Sequence, residues 1–345
     1  MRPRVLLALG AAAVLVLAGC APEPEVEPTG TPTAEVTPVP TTGPGAPNPA
    51  FDVDCADVAA AMTSAVGEVE GDVAEVLGVW SSPSWYPGPA QHMFQRAGGI
   101  ACSAGTTERN WEVTILPGAA ETITGAESRG GYYGEEARCE SGGYCFFQLV
   151  DGEVLVSATV VDPEKGPDDT ATLEEGLRGL AASAVASLRE VEVPESAVAG
   201  VDCSRFLTAN ELAEQIDAAE VHVVDAFGGW SIPAEVYQER NGSRICYYAS
   251  EGDEYAAQGY VILTTLPGGA WAFDELELDD QEEVVVEGAD AALTGVDELG
   301  RQVLDLRAGG DWLRLTAVQG SGIDDLAPIG ATVAEDLSVA RPGGQ

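Results

Sequence analysis

The chain has 345 residues, of which 57 are Asp or Glu and 16 are Lys or Arg, so with two neutral His its formal net charge is -41. A surface this acidic repels phosphate backbones and anionic headgroups, which excludes nucleic acid as a partner. Apolar residues make up 45% of the chain, enough for packed cores, and the length fits about two domains of roughly 100 to 200 residues.

In chain order, residues 1–19 read as a signal peptide. Arg2 and Arg4 precede a mostly apolar run, Val5 to Leu17, which is shorter than the roughly 20 residues that span a bilayer. The run ends in Leu17-Ala18-Gly19-Cys20, which resembles the lipobox of bacterial lipoproteins. That resemblance implies a diacylglyceryl thioether on Cys20 and cleavage before it; the other reading is an ordinary cleaved signal peptide with Cys20 incidental. Residues 20–50 carry Pro, Thr, Gly and Ala throughout and few large apolar side chains, the composition of a tether. Extended like polyproline, it reaches up to about 90 Å.

From residue 51 onward the chain matches itself. Val53-Asp54-Cys55 recurs as Val201-Asp202-Cys203, Trp80-Ser81-Ser82-Pro83 as Trp230-Ser231-Ile232-Pro233, and Leu116-Pro117-Gly118 as Leu266-Pro267-Gly268. Two tandem repeats follow, 51–197 and 198–345. Six cysteines remain beyond Cys20, an even number in an exported chain. The repeat selects Cys55 with Cys102, Cys203 with Cys246, and Cys139 with Cys145; a zinc site is the rival reading, but metal-ligand spacings are absent and His is scarce.

Each repeat opens on a helix. In repeat 2, Thr208-Ala209-Asn210-Glu211 is a capping box before Leu212 and Ile216, and in repeat 1 the helix carries Val58, Met62 and Val66. Strands are predicted around Cys102 and over Trp111, Val113 and Ile115. Phe146 to Val150 and Val154 to Val161 form a hairpin turning at Asp151-Gly152, matched by Val303 to Arg307 and Trp312 to Val318 turning at Gly309-Gly310. A closing helix in repeat 1 is expected to be capped at Thr172, with Leu173, Leu177, Leu180, Ala184 and Leu188 as its apolar stripe. The fold class is α+β: two tandem repeats, each a small antiparallel sheet with its N- and C-terminal helices on one face.

Cys203-Ser204-Arg205-Phe206-Leu207-Thr208 with Glu211, a second mid-strand Cys, and Gly288-Ala289-Asp290-Ala291-Ala292 before the last strand pair resemble uncharacterised lipoproteins of actinobacterial envelopes. Related domains serve as extracellular sensor parts of receptor kinases. The resemblance implies a small two-layer α+β fold and brings no catalytic residues. Repeat 1 departs from the pattern: Cys55-Ala56-Asp57-Val58 lacks the Ser and Thr, and Gly130-Gly131-Tyr132-Tyr133 lacks the Asp.

Chemistry-bearing motifs are sparse. His92 and His222 do not correspond in the repeat and read as surface or loop residues, and no nucleophile elbow or phosphate loop occurs. No catalytic residue, cofactor or metal site is assigned. Asp274 to Glu283 and Asp162 to Asp169 are acidic but lack an EF-hand pattern and read as solvated loops. Asn241-Gly242-Ser243 reads as a turn. Trp80 and Trp230, kept in both repeats, are the candidate ligand contacts, with packing at a strand end as the plainer reading. The expectation is a non-enzymatic, lipid-anchored envelope protein outside the cytoplasm, its partners the membrane through its anchor and an envelope ligand or protein bound through the tandem domains. The alternative is an envelope hydrolase using carboxylates not identifiable from sequence.

Overall fold

The structure, a computed structural model, describes residues 45–78, 87–225, 231–252 and 258–340, all within one compact unit covering residues 42–345. The signal segment, Cys20, most of the tether, Trp80 and Trp230 lie outside the described residues.

The first part of the unit runs α1 (Cys55–Val66), a 3-10 turn (Pro89–His92), α2 (Met93–Arg96), β1 (Ile100–Gly105), β2 (Asn110–Pro117), α3 (Ala119–Ser128), β3 (Glu136–Cys139), β4 (Tyr144–Asp151), β5 (Val154–Val161) and α4 (Thr170–Ala186). The second part runs α5 (Ala209–Gln215), β6 (His222–Val224), α6 (Ile232–Ala234) continuing into a π-helical stretch (Glu235–Arg240), β7 (Ile245–Ala249), β8 (Gly259–Leu266), α7 (Ala270–Phe273), β9 (Asp279–Glu283), β10 (Ala291–Val296), β11 (Gln302–Ala308), β12 (Asp311–Ala317) and α8 (Ala327–Ala340). Sheet 1 has the strand order β1-β2-β5-β4-β3, and sheet 2 the order β6-β7-β8-β12-β11-β10-β9. Both are antiparallel, and with β6 and β9 set aside the two orders coincide.

Alternation places one side of each central strand in a core. Trp111, Val113, Ile115, Phe147 and Leu149 face α1 and α4, which cover the outer face of sheet 1. Leu263, Leu304, Leu306, Leu313 and Leu315 pack with Leu212 of α5 and Ile329 and Val333 of α8 over the outer face of sheet 2. Helix α1 starts where Asp54 accepts from the amides of Ala56 and Asp57 at 2.9 and 3.0 Å, and α5 starts at the expected Thr208–Glu211 box. The disulfides are Cys55–Cys102, Cys139–Cys145 and Cys203–Cys246, the pairs the cysteine positions predict.

Several expectations need correction. The closing helix of the first part begins at Thr170, not after a cap at Thr172, because Pro167 starts a 3-10 turn that runs straight into it, with Asp169 bonded back to the Gly166 amide at 2.9 Å. It ends at Ala186, so Leu188 falls beyond the stripe and is exposed. The acidic run Asp274 to Glu283 is not all loop: Asp279–Glu283 is the exposed edge strand β9, where charge on an unpaired edge discourages pairing with other chains. Asp162 is buried rather than solvated, because Arg109 pairs with it at 3.0 Å. Nor are helices confined to one face of each sheet.

On the inner faces, α2, α3, α6 and the π-helical stretch share a third core with Ala101, Leu116, Leu155, Ile245 and Ile262 of the two sheets. Two arginines lock this layer reciprocally. Arg96 donates to the carbonyl of Pro267, and Arg240 to the carbonyl of Pro117, each reaching into the other part's Leu-Pro-Gly turn. Gly118 and Gly268 adopt left-handed φ of 70° and 65° there, a conformation that disfavours other residues, and the guanidinium of each arginine lies close beside them. Asn241 is buried and donates to the Met93 carbonyl at 2.8 Å, so the turn Asn241-Gly242-Ser243 belongs to the same interface.

Candidate ligand-binding site

The inner face of sheet 1 is lined by the other side of the alternation: Asn110, Glu112 and Thr114 on β2, Tyr144, Phe146 and Gln148 on β4. With Ser157 and Thr159 of β5 they form the floor of a cavity of about 250 Å³. Leu77 and Phe94 wall it on one side, and Ser231, Ile232 and Pro233 of the second part on another. That volume falls just short of the usual range for small-molecule pockets, roughly 300 to 1,000 Å³, and the mixture of apolar walls with a few polar groups is typical of them.

Glu112 is buried, and its Oε2 accepts from the Gly78 amide at 2.8 Å. Ser157 Oγ is shielded from solvent and has no hydrogen-bond partner among the described residues. Burial raises the Tyr144 phenol above its ordinary range, Arg138 opposes this, and the charges of Glu140, Glu136 and Glu112 add to it. Neither histidine lines the cavity, and Glu112 is the one carboxylate among its described lining residues. The candidates Trp80 and Trp230 lie outside the described residues; Leu77 lines the cavity, Gly78 bonds its carboxylate, and Ser231 lines the opposite wall.

The inner face of sheet 2 is closed. Arg314 lies over its strands with Asp305, donating at 2.7 and 2.9 Å to the two carboxylate oxygens, and both side chains are out of solvent. Trp312 Nε1 donates to the same carboxylate at 2.6 Å, and Arg314 also donates to the Pro87 carbonyl at 2.8 Å. His92, in the turn Pro89–His92, packs edge-on against Trp271 and Trp312 at 5.3 and 5.6 Å. The loop position expected for it holds, but the ring is half-buried rather than at the surface: a neutral imidazole is apolar enough to fill the space between two indoles, and desolvation, with the Arg314 charge, lowers its pKa to about 4. His222 sits on edge strand β6, partly exposed, 3.2 Å from Glu220.

Sequence reasoning missed Glu112, Ser157, Asp305 and Arg314. A signal existed for the last two, since counting outward from Gly309-Gly310 places them opposite each other with opposite charges. Among the described residues no group of three or more His, Cys, Asp or Glu is placed to hold a metal ion, and no helix is long and apolar enough to cross a membrane. No family model matches the chain, and neither does any curated protein or solved structure.

Proposed function

We propose that this is a lipid-anchored protein of the cell envelope that binds a small ligand without transforming it, in a pocket on the inner face of sheet 1. The observation that carries the reading is the pocket itself, with mostly apolar walls, a floor that mixes polar and aromatic side chains, and a single described carboxylate. A glycosidase of the ordinary kind needs two carboxylates about 5 to 9.5 Å apart. Two tandem copies of one α+β unit, 51–197 and 198–345, account for the coincident strand orders, the matched long disulfides and the reciprocal arginines. The Leu-Ala-Gly-Cys segment and the likeness to actinobacterial envelope lipoproteins support the anchor at Cys20, and three disulfides suit an oxidising compartment.

The pocket is tested by screening the full chain carrying Cys20→Ser against small fragments of positive, neutral and negative charge, following the amide resonances of residues 110–114 and 157–161. Saturable shifts that disappear when Ser157→Trp fills the cavity are expected; a screen in which no fragment moves those resonances overturns the pocket. Turnover of wall polymers or esters that depends on Glu112 would overturn the non-enzymatic reading. The anchor is tested by fractionation, since a Cys20→Ala protein that stays with the membrane contradicts it.

A further inference from the structure

Most polar groups around the sheet 1 pocket are already bonded within the protein. Asn110 donates to the Thr106 carbonyl at 2.6 Å, and Thr114 to the Ser157 carbonyl at 3.4 Å. Glu112 accepts from the Gly78 amide and has a further interaction outside the described residues, so its carboxylate is held by the chain and not presented to a ligand. Two half-buried lining residues remain open, Gln148 and Thr159: neither side chain has a hydrogen-bond partner among the described residues. In the register of β4 with β5, Gln148 stands opposite Ser157 and Phe146 opposite Thr159, so the two open groups lie diagonally across one patch beside the Phe146 ring. No Lys or Arg is among the described lining residues. Residues 79–86, which continue the chain from Gly78, and 226–230, which precede Ser231, contain no charged side chain.

We propose that the sheet 1 pocket takes a small uncharged ligand, a flat apolar body whose carboxamide or lactam head exchanges a donor and an acceptor with the Gln148 carboxamide. The inference rests on reading the pocket as a ligand site. An ion entering this space gives up its hydration and meets no free counter-charge, whereas an uncharged amide loses far less. What the amide loses, Gln148 returns, because its side chain offers an N–H donor and a carbonyl acceptor in one plane. Thr159 adds a hydroxyl that can turn to donate or accept. The rings of Phe94, Tyr144 and Phe146, with Leu77, Ile232 and Pro233, supply the surface for a flat apolar body.

The probes are benzamide, its charged near-isosteres benzamidine and benzoate, and toluene as the body without a polar head. Each is titrated into the full chain carrying Cys20→Ser at about 0.15 M salt, where exposed charges are screened beyond roughly 8 Å. Benzamide is expected to shift the resonances of residues 144–148 and 157–161 saturably, and the shifts vanish when Ser157→Trp fills the cavity. Benzamidine, benzoate and toluene bind there at least about tenfold more weakly. Gln148→Leu, which removes both hydrogen-bonding groups, weakens benzamide about tenfold and leaves toluene unchanged. If benzamidine, benzoate or toluene binds the pocket as tightly as benzamide, the inference falls and the pocket reading stands. Benzamide binding that Gln148→Leu does not weaken overturns the inference in the same way. If none of the four moves those resonances, the inference falls, and the wider fragment screen decides the pocket reading separately. Shifts that survive Ser157→Trp count as absent, because they arise outside the cavity. Should Gln148→Leu fail to fold, the comparison of the four probes on the parent chain decides it.

Discussion

The inner faces of the two sheets share a strand order and a hairpin register, yet one is closed and the other holds a cavity. On sheet 2 a buried cation is tolerated because it is over-determined: Asp305 takes two of its hydrogen bonds, the Pro87 carbonyl a third, and Trp312 bonds the carboxylate. The turn Pro89–His92 lies against β8 and β12 and seals the face. On sheet 1 the matching position is Ser157, and residues Ser231 to Pro233 border the space instead of filling it. A long charged side chain under a close-packed turn fills one face, and a short hydroxyl beneath a more distant wall leaves space on the other.

The largest effect expected from breaking this contrast is at Asp305. Asp305→Ala strands a buried guanidinium and should cost about 3 to 5 kcal/mol, whereas Gln148→Ala, at the same register on sheet 1, should cost under about 1 kcal/mol. Denaturant unfolding of the two variants checks this. If the parts share a frame and differ only at their inner faces, losing Cys55–Cys102 or Cys203–Cys246 should cost alike, about 4 kcal/mol each, with the six-residue Cys139–Cys145 loop nearer 2. Unequal losses for the two long loops would show that the frame itself differs.

The pH dependence should also be one-sided. His92 has a folded pKa of about 4 against an ordinary 6.5, so the unfolded chain binds more protons between those values. Its contribution is fully present above about pH 6.5 and is lost as pH falls toward 4, a change of about 3 kcal/mol at roughly 1.4 per unit. Subtracting the stability profile of His92→Gln from that of the parent isolates it, and a flat difference would contradict the burial. The smallest effect belongs to Ser157→Ala: removing an unpartnered hydroxyl should leave stability within about 1 kcal/mol of the parent or raise it slightly. A larger loss would mean that Oγ is bonded after all.

Much of the frame was legible in the chain. The cysteine pairs followed from the recurring Val-Asp-Cys, the hairpins from alternation on either side of Gly-rich turns, and the Thr208–Glu211 cap from its spacing. The start of α4 was not, since Thr172 offers a plausible cap and Pro167 overrides it by starting a turn that runs straight into the helix at Thr170. The pocket was not legible either, for a more general reason. Asn110, Glu112, Thr114, Ser157 and Thr159 alternate with apolar partners, and alternation alone cannot say whether the polar side of a strand meets water or a second packed layer.

By itself, then, the sequence determined the local rules: which side chains alternate, where helices are capped, which cysteines recur at matching positions, and how much negative charge the chain carries. These depend on neighbours a few residues apart or on a count. Tertiary structure decided what the polar faces do. Arg314 and Asp305 became a dry core, His92 a neutral packing group, and Ser157 the floor of a cavity, because burial is set by elements far away in the chain, such as Pro87 on Arg314 and Ser231 at the pocket wall.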